Sequence, residues 1–104
     1  KARITGDWKI EQVLSNGSDQ TSAYNTFVGA SYVMSIKKDG TYSSTGNFSD
    51  NGTWKFSSDK TQIITKSNST GSTENTSTIT KLKNKELWIK ETSNGVTTEV
   101  HYKQ

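Results

Sequence analysis

A repeating rhythm constrains this chain more than any other feature. Short runs of alternating apolar and polar residues are cut about every ten residues by turn signals, several of them Asn-Gly or Asp-Gly. Alternation with period two puts every second side chain on one face of an extended strand. Asn-Gly and Asp-Gly supply the left-handed backbone that a two-residue hairpin turn requires. A chain written this way is an antiparallel meander of short strands.

Trp8, Ile10 and Leu14 alternate with Lys9 and Glu11 and define a first strand that ends at Asn16-Gly17. Residues 31–37 set Tyr32, Met34 and Ile36 against Ser31, Ser35 and Lys37, and Asp39-Gly40 follows as a hairpin turn. Tyr42, Gly46 and Phe48 continue an inward row, after which Asn51-Gly52 is expected to turn the chain again. Trp54 and Phe56 flank Lys55, and Gln62 to Thr65 form the next strand. Half of residues 73–82 are Ser or Thr. Ile79 and Leu82 lie three apart there, which breaks the period and predicts a bulge or an early turn. Leu87 and Ile89 oppose Trp88 and Lys90 over 86–92; Asn94-Gly95 turns the chain into Val96, Val100 and Tyr102. One segment departs from the rhythm. Ala23, Tyr24, Phe27 and Val28 recur at helical spacing behind Ser18 and Asp19, which predicts one short helix over 20–28.

About eight such strands laid flat would leave two unpaired edges, and closing them into a barrel removes both. A two-sheet sandwich is the alternative, but only the 15–30 segment is long enough for a crossing connection. The expectation is therefore an all-β, single-domain barrel over 1–104 with one short helix. Composition agrees once the strands are drawn. Ser, Thr and Asn make up 39 of 104 residues and only 28% are hydrophobic, yet 10% are aromatic rings. The rings take one face and the hydroxyls the other, as a barrel with one thin inward layer demands.

With this order in hand, the chain resembles a family. Gly6-x-Trp8 followed by a helical segment resembles the Gly-x-Trp signature of lipocalins and fatty-acid-binding proteins. The stretches Asp39-Gly40-Thr41-Tyr42, Asn51-Gly52-Thr53-Trp54-Lys55-Phe56, Ile79-Thr80-Lys81-Leu82 and Glu86-Leu87-Trp88-Ile89-Lys90 resemble the small lipocalin-like domains of secreted Bacteroidota lipoproteins. The resemblance spans residues 4–103. It implies that Trp8 closes one end of the barrel, beneath a basic side chain for which Lys103 and Arg3 are the candidates. It also implies a secreted or cell-envelope location, with the membrane reached only through a lipid anchor upstream of this chain. The larger lipocalins are much longer and add a disulfide, further strands and a C-terminal helix. A capacious cavity is therefore not expected here.

Catalytic chemistry has little to work with. There is no cysteine, and His101 is the single histidine, on the polar side of the last strand and read as a surface residue. The carboxylates are scattered, most of them at turns, and no pair has an acid/base setting. No enzyme activity, cofactor or metal is expected. The net charge is only +3, acids sit beside bases, and Arg3 is the single arginine, so nucleic acid is not an expected partner. Two functions stay open. The inward residues Trp8, Tyr32, Met34, Tyr42, Phe48, Trp54, Phe56 and Tyr102 either line a pocket for a small apolar or amphipathic ligand, with Tyr24 and Phe27 as a lid, or fill the barrel completely. In the second case the molecule would act through its outer surface on an envelope protein. Trp88 is then the candidate anchor, unless the phase of its strand is reversed.

Overall fold

The computed structural model describes residues 4–104. Its nine strands are β1 (Gly6–Ser15), β2 (Ser18–Asp19), β3 (Val33–Ile36), β4 (Thr41–Thr45), β5 (Asp50–Phe56), β6 (Gln62–Ser67), β7 (Asn75–Lys83), β8 (Glu86–Ser93) and β9 (Val96–Lys103), with one helix, α1 (Thr21–Val28). From β3 to β9 each strand pairs antiparallel with the next, β1 pairs with both β3 and β9, and the sheet closes. Eight strands form the barrel. The two-residue β2 only extends the Asn16-Gly17 hairpin along β1.

Three turn dipeptides behave as the local rules require. Asn16-Gly17 and Asn94-Gly95 both carry positive φ at each residue (48° and 84°, 52° and 79°), the geometry of a tight hairpin. Gly40 lies at φ 89° between β3 and β4. Asn51-Gly52 does not form the expected turn. Both residues lie inside β5, where Gly52 pairs with Tyr42 on one side and Ser67 on the other. A Cβ on Gly52 would overlap the Lys66 carbonyl oxygen and lie 2.8 Å from Tyr42 Cε2. This glycine is selected by close packing, and the chain actually turns at 46–49.

That displaced turn also corrects Phe48. The inward row was expected to run from Tyr42 through Gly46 to Phe48, but β4 ends at Thr45. Gly46 (φ 138°) lies so close to the end of α1 that any Cβ would overlap the Val28 carbonyl oxygen. Asn47 then bonds α1 directly, its backbone N–H donating to Val28 O at 2.7 Å. Phe48 is thrown outward, 58% exposed, and its ring lies 5.0 Å from that of Phe27, itself 64% exposed.

Two bulges set the phase of the inward row. One falls between Ile79 and Lys81 in β7, so that Ile79 pairs with Ile89 and Leu82 with Leu87 despite their spacing of three. The other falls between Ile10 and Gln12 in β1. It turns Val13 into the core at 1% exposure and leaves Leu14, the expected inward residue, half-buried. The helix begins one residue later than expected. Ser18 and Asp19 belong to β2, although Asp19 still accepts a hydrogen bond from the Thr21 amide at 2.9 Å.

Candidate functional site

The two ends of the barrel differ in kind. At the end bounded by the β3–β4, β5–β6 and β7–β8 turns, Ile4, Trp8, Ile36, Trp54 and Leu87 form a tight plug. Trp8 and Ile4 are fully buried, and the Trp8 indole N–H donates to Ile4 O at 2.8 Å. The Trp54 indole donates to Lys37 O at 2.7 Å, and its ring meets Phe56 edge-on at 5.4 Å. No basic side chain stacks on Trp8 among the described residues. Lys103 is exposed, and Arg3 lies outside the described residues. A depression of about 580 Å³ outside this end, touching Trp54, Phe56, Lys38 and Lys60, is open to solvent.

The other end, beneath α1, holds a more enclosed chamber of about 220 Å³. Ile63, Leu87, Ile89, Val100 and Met34 give it apolar walls, and Tyr42, Tyr102, Thr65, Ser77, Thr98, Asn75 and Glu91 add polar groups, with Tyr24 joining from α1. Buried Ser77 pairs with Ile63 and buried Tyr102 with Leu87, so hydroxyl residues stand beside the deepest apolar ones. The asymmetry follows from strand alternation. On β8, Leu87, Ile89 and Glu91 point inward in succession, so one strand runs from apolar floor to charged rim. On β9, Tyr102, Val100 and Thr98 point inward beside them, paired with Leu87, Ile89 and Glu91 in turn.

Hydroxyls are concentrated here. Tyr102 is only 7% exposed, and burial raises its hydroxyl well above the ordinary tyrosine value, with Tyr32, Tyr24 and the Glu91 charge adding to the effect. Burial likewise raises Tyr32, whose hydroxyl interacts with Ser44 and Tyr102. Tyr42 is pushed up to about 12 by burial and by its bond to Asp50. That hydroxyl donates to Asp50 Oδ2 at 3.0 Å, and Ser67 donates to Asp50 Oδ1 at 2.6 Å. Tyr24 is raised by burial and then by Glu91. All four tyrosines are therefore neutral hydrogen-bonding groups at neutral pH.

Of the residues singled out from the sequence, Met34, Tyr42, Tyr102 and Tyr24 meet at this chamber. Tyr32 stands beside it, linked to Tyr102. Trp8, Trp54 and Phe56 belong to the plugged end, while Phe27 and Phe48 pair on the outside. The helix therefore contributes one chamber residue, Tyr24, and Phe27 is not part of the inner face of a lid. Asn47 fixes α1 from below, its side chain donating to Phe27 O at 3.2 Å. Sequence reasoning missed Ser77, Thr98 and Glu91, which are polar at inward positions. Glu91 was detectable by its phase alone, two residues beyond Ile89.

Trp88 does lie on the outer face, as its alternation with Leu87 and Ile89 requires. It is not a bare anchor. Lys81, Trp88, His101 and Gln12 form one row across four strands. The Trp88 and His101 rings stack at 3.7 Å, and Lys81 Nζ lies 4.4 Å from the Trp88 ring. This stacking leaves His101, expected on the open surface, only 7% exposed. No group of three or more metal-ligating side chains gathers among the described residues.

No family model matches the chain, and no curated protein matches it. Among solved structures it is similar to a lipocalin-like protein from Bacteroides uniformis ATCC 8492, with 15% sequence identity, a TM-score of 0.70 and 98% of each chain covered. The closed meander, the buried Trp8 and this likeness agree on one architecture: the chain has the fold of a lipocalin-like eight-stranded barrel.

Proposed function

We propose that the protein is a non-catalytic, extracytoplasmic binding module that holds a compact amphipathic molecule in the barrel chamber. The observation that carries this reading is the chamber itself: apolar side chains interleaved with tyrosine, serine and threonine hydroxyls inside the α1 end of the barrel. Small-ligand sites combine a mostly apolar lining with a few placed polar groups in this way. Size sets the ligand class. Pockets for drug-sized ligands run about 300–1,000 Å³, and an apolar cavity of about 150 Å³ already holds benzene. A chamber of about 220 Å³ suits one ring or a short branched chain with a polar head at the rim. A long acyl chain does not fit within it.

Isothermal titration of compact ring alcohols and of long-chain fatty acids tests the proposal. Saturable binding of the alcohols, absent in a chamber-filling Ser77→Phe variant that still melts cooperatively, supports it. If no compact amphiphile binds the parent, or if Ser77→Phe binds equally well, the chamber is not the site. A second reading, an outer face that docks an envelope protein, rests on the exposed Phe27–Phe48 pair. It predicts that partner capture is lost in a Phe27→Ser/Phe48→Ser variant while ligand titrations are unchanged.

A further inference from the structure

We propose that the chamber selects a small organic cation, an alkyl- or arylammonium, over neutral or anionic molecules of the same size. The inference rests on the ligand-binding reading above and names the charge of the ligand. Its first support is the distribution of charge. The chain carries 13 Lys and Arg against 10 Asp and Glu, yet the chamber lining contains no lysine or arginine and one charged residue, Glu91. The lysine–carboxylate pairs among the described residues join Lys55 to Glu74 and Lys81 to Glu86, and His101 lies 3.7 Å from Glu99, so Glu91 faces the chamber without a protein cation.

Its second support is what surrounds that carboxylate. Tyr24 and Tyr102 are close enough for the Glu91 charge to act on both hydroxyls. Tyrosine rings with a carboxylate and no competing base are the components that attract an ammonium ion, through the ring quadrupole and through charge. An anionic ligand would stand beside Glu91 with nothing positive to offset the repulsion. A metal ion is a poorer match, because hard cations take six or more oxygen ligands and no such cluster is present among the described residues. The apolar side chains of Ile89, Val100 and Leu87 then take the hydrocarbon part.

The test is calorimetric titration with three probes of one shape at pH 7: benzylamine as its cation, benzyl alcohol and benzoate. The cation is expected to bind about tenfold more tightly than the alcohol, and benzoate most weakly. Glu91→Gln, at an exposed position, is expected to abolish the cation's advantage over the alcohol while leaving the melting temperature unchanged. Equal or tighter binding of the alcohol or benzoate overturns the inference but leaves the ligand-binding reading standing. So does a cation preference that survives Glu91→Gln. Failure of all three probes to bind overturns both.

Discussion

Replacing Gly52 with alanine should damage this protein far more than one methyl group normally does. Gly52 has an ordinary extended backbone, so the penalty is steric and not conformational. The new Cβ would overlap the Lys66 carbonyl oxygen, lie 2.9 Å from the Lys66 carbonyl carbon, and lie 2.8 Å from Tyr42 Cε2. The Tyr42 ring could rotate, but the Lys66 backbone belongs to β6 and can yield only by opening the β5–β6 pairing. Overpacking of this kind costs about 1–3 kcal/mol, and a weakened ladder hydrogen bond adds about 1 kcal/mol. A total of roughly 2–4 kcal/mol lowers the melting temperature of a domain this size by roughly 10–25 °C. The control is Gly95→Ala, at φ 79° with nothing within 4 Å, where backbone strain alone costs about 1–2 kcal/mol. Both variants are read by thermal circular dichroism. If Gly52→Ala melts with the parent, or no lower than Gly95→Ala, then Gly52 does not lie against the Lys66 backbone and Tyr42 in the barrel wall.

Three further outcomes follow from the same structure. Trp8→Ala removes the largest fully buried side chain and should cost about 3–5 kcal/mol in denaturant unfolding; a parent-like midpoint would mean that Trp8 does not plug the barrel. Raised tyrosine values favour the protonated form in the folded state, so their stabilisation is complete below pH 10. It is lost as pH rises from 10 through about 12, the Tyr42 value. Absorbance at 295 nm should therefore show the chamber tyrosines ionising together with unfolding, and reversible titration of all four near pH 10 in a folded protein would contradict this. A double-mutant cycle on Phe27 and Phe48 should return a coupling of about 0.5–1 kcal/mol, and additivity would show that the rings do not pair.

What the sequence reveals of this fold is what local chemistry decides. Asn16-Gly17, Asp39-Gly40 and Asn94-Gly95 are legible because a tight turn is built from its own residues. The β7 bulge is legible because Ile79 and Leu82 cannot both face inward without it. The β1 bulge is hidden, since Val13 and Leu14 are both apolar and either could have faced in. Asn51-Gly52 misleads because glycine answers two needs, a turn and a close approach, and only the distant Lys66 backbone tells them apart. Phe48 misleads for a similar reason: the contact of Gly46 with the end of α1 ends the row. The chamber was half legible. Met34, Tyr42 and Tyr102 follow from alternation, but a rule that seeks apolar residues inside passes over Ser77, Thr98 and Glu91. Whether rings fill a barrel or line it depends on their packing, which no periodicity records.

The chain holds one methionine, Met34, and its side chain lines the chamber. Labelling its ε-methyl with ¹³C gives a single resonance from inside the proposed site. Titrating benzyl alcohol and benzylamine should shift that resonance saturably, with the same dissociation constants that calorimetry returns, and Ser77→Phe should abolish the shift. A Met34 resonance that does not shift while either compound binds would mean that the compound is held outside the barrel.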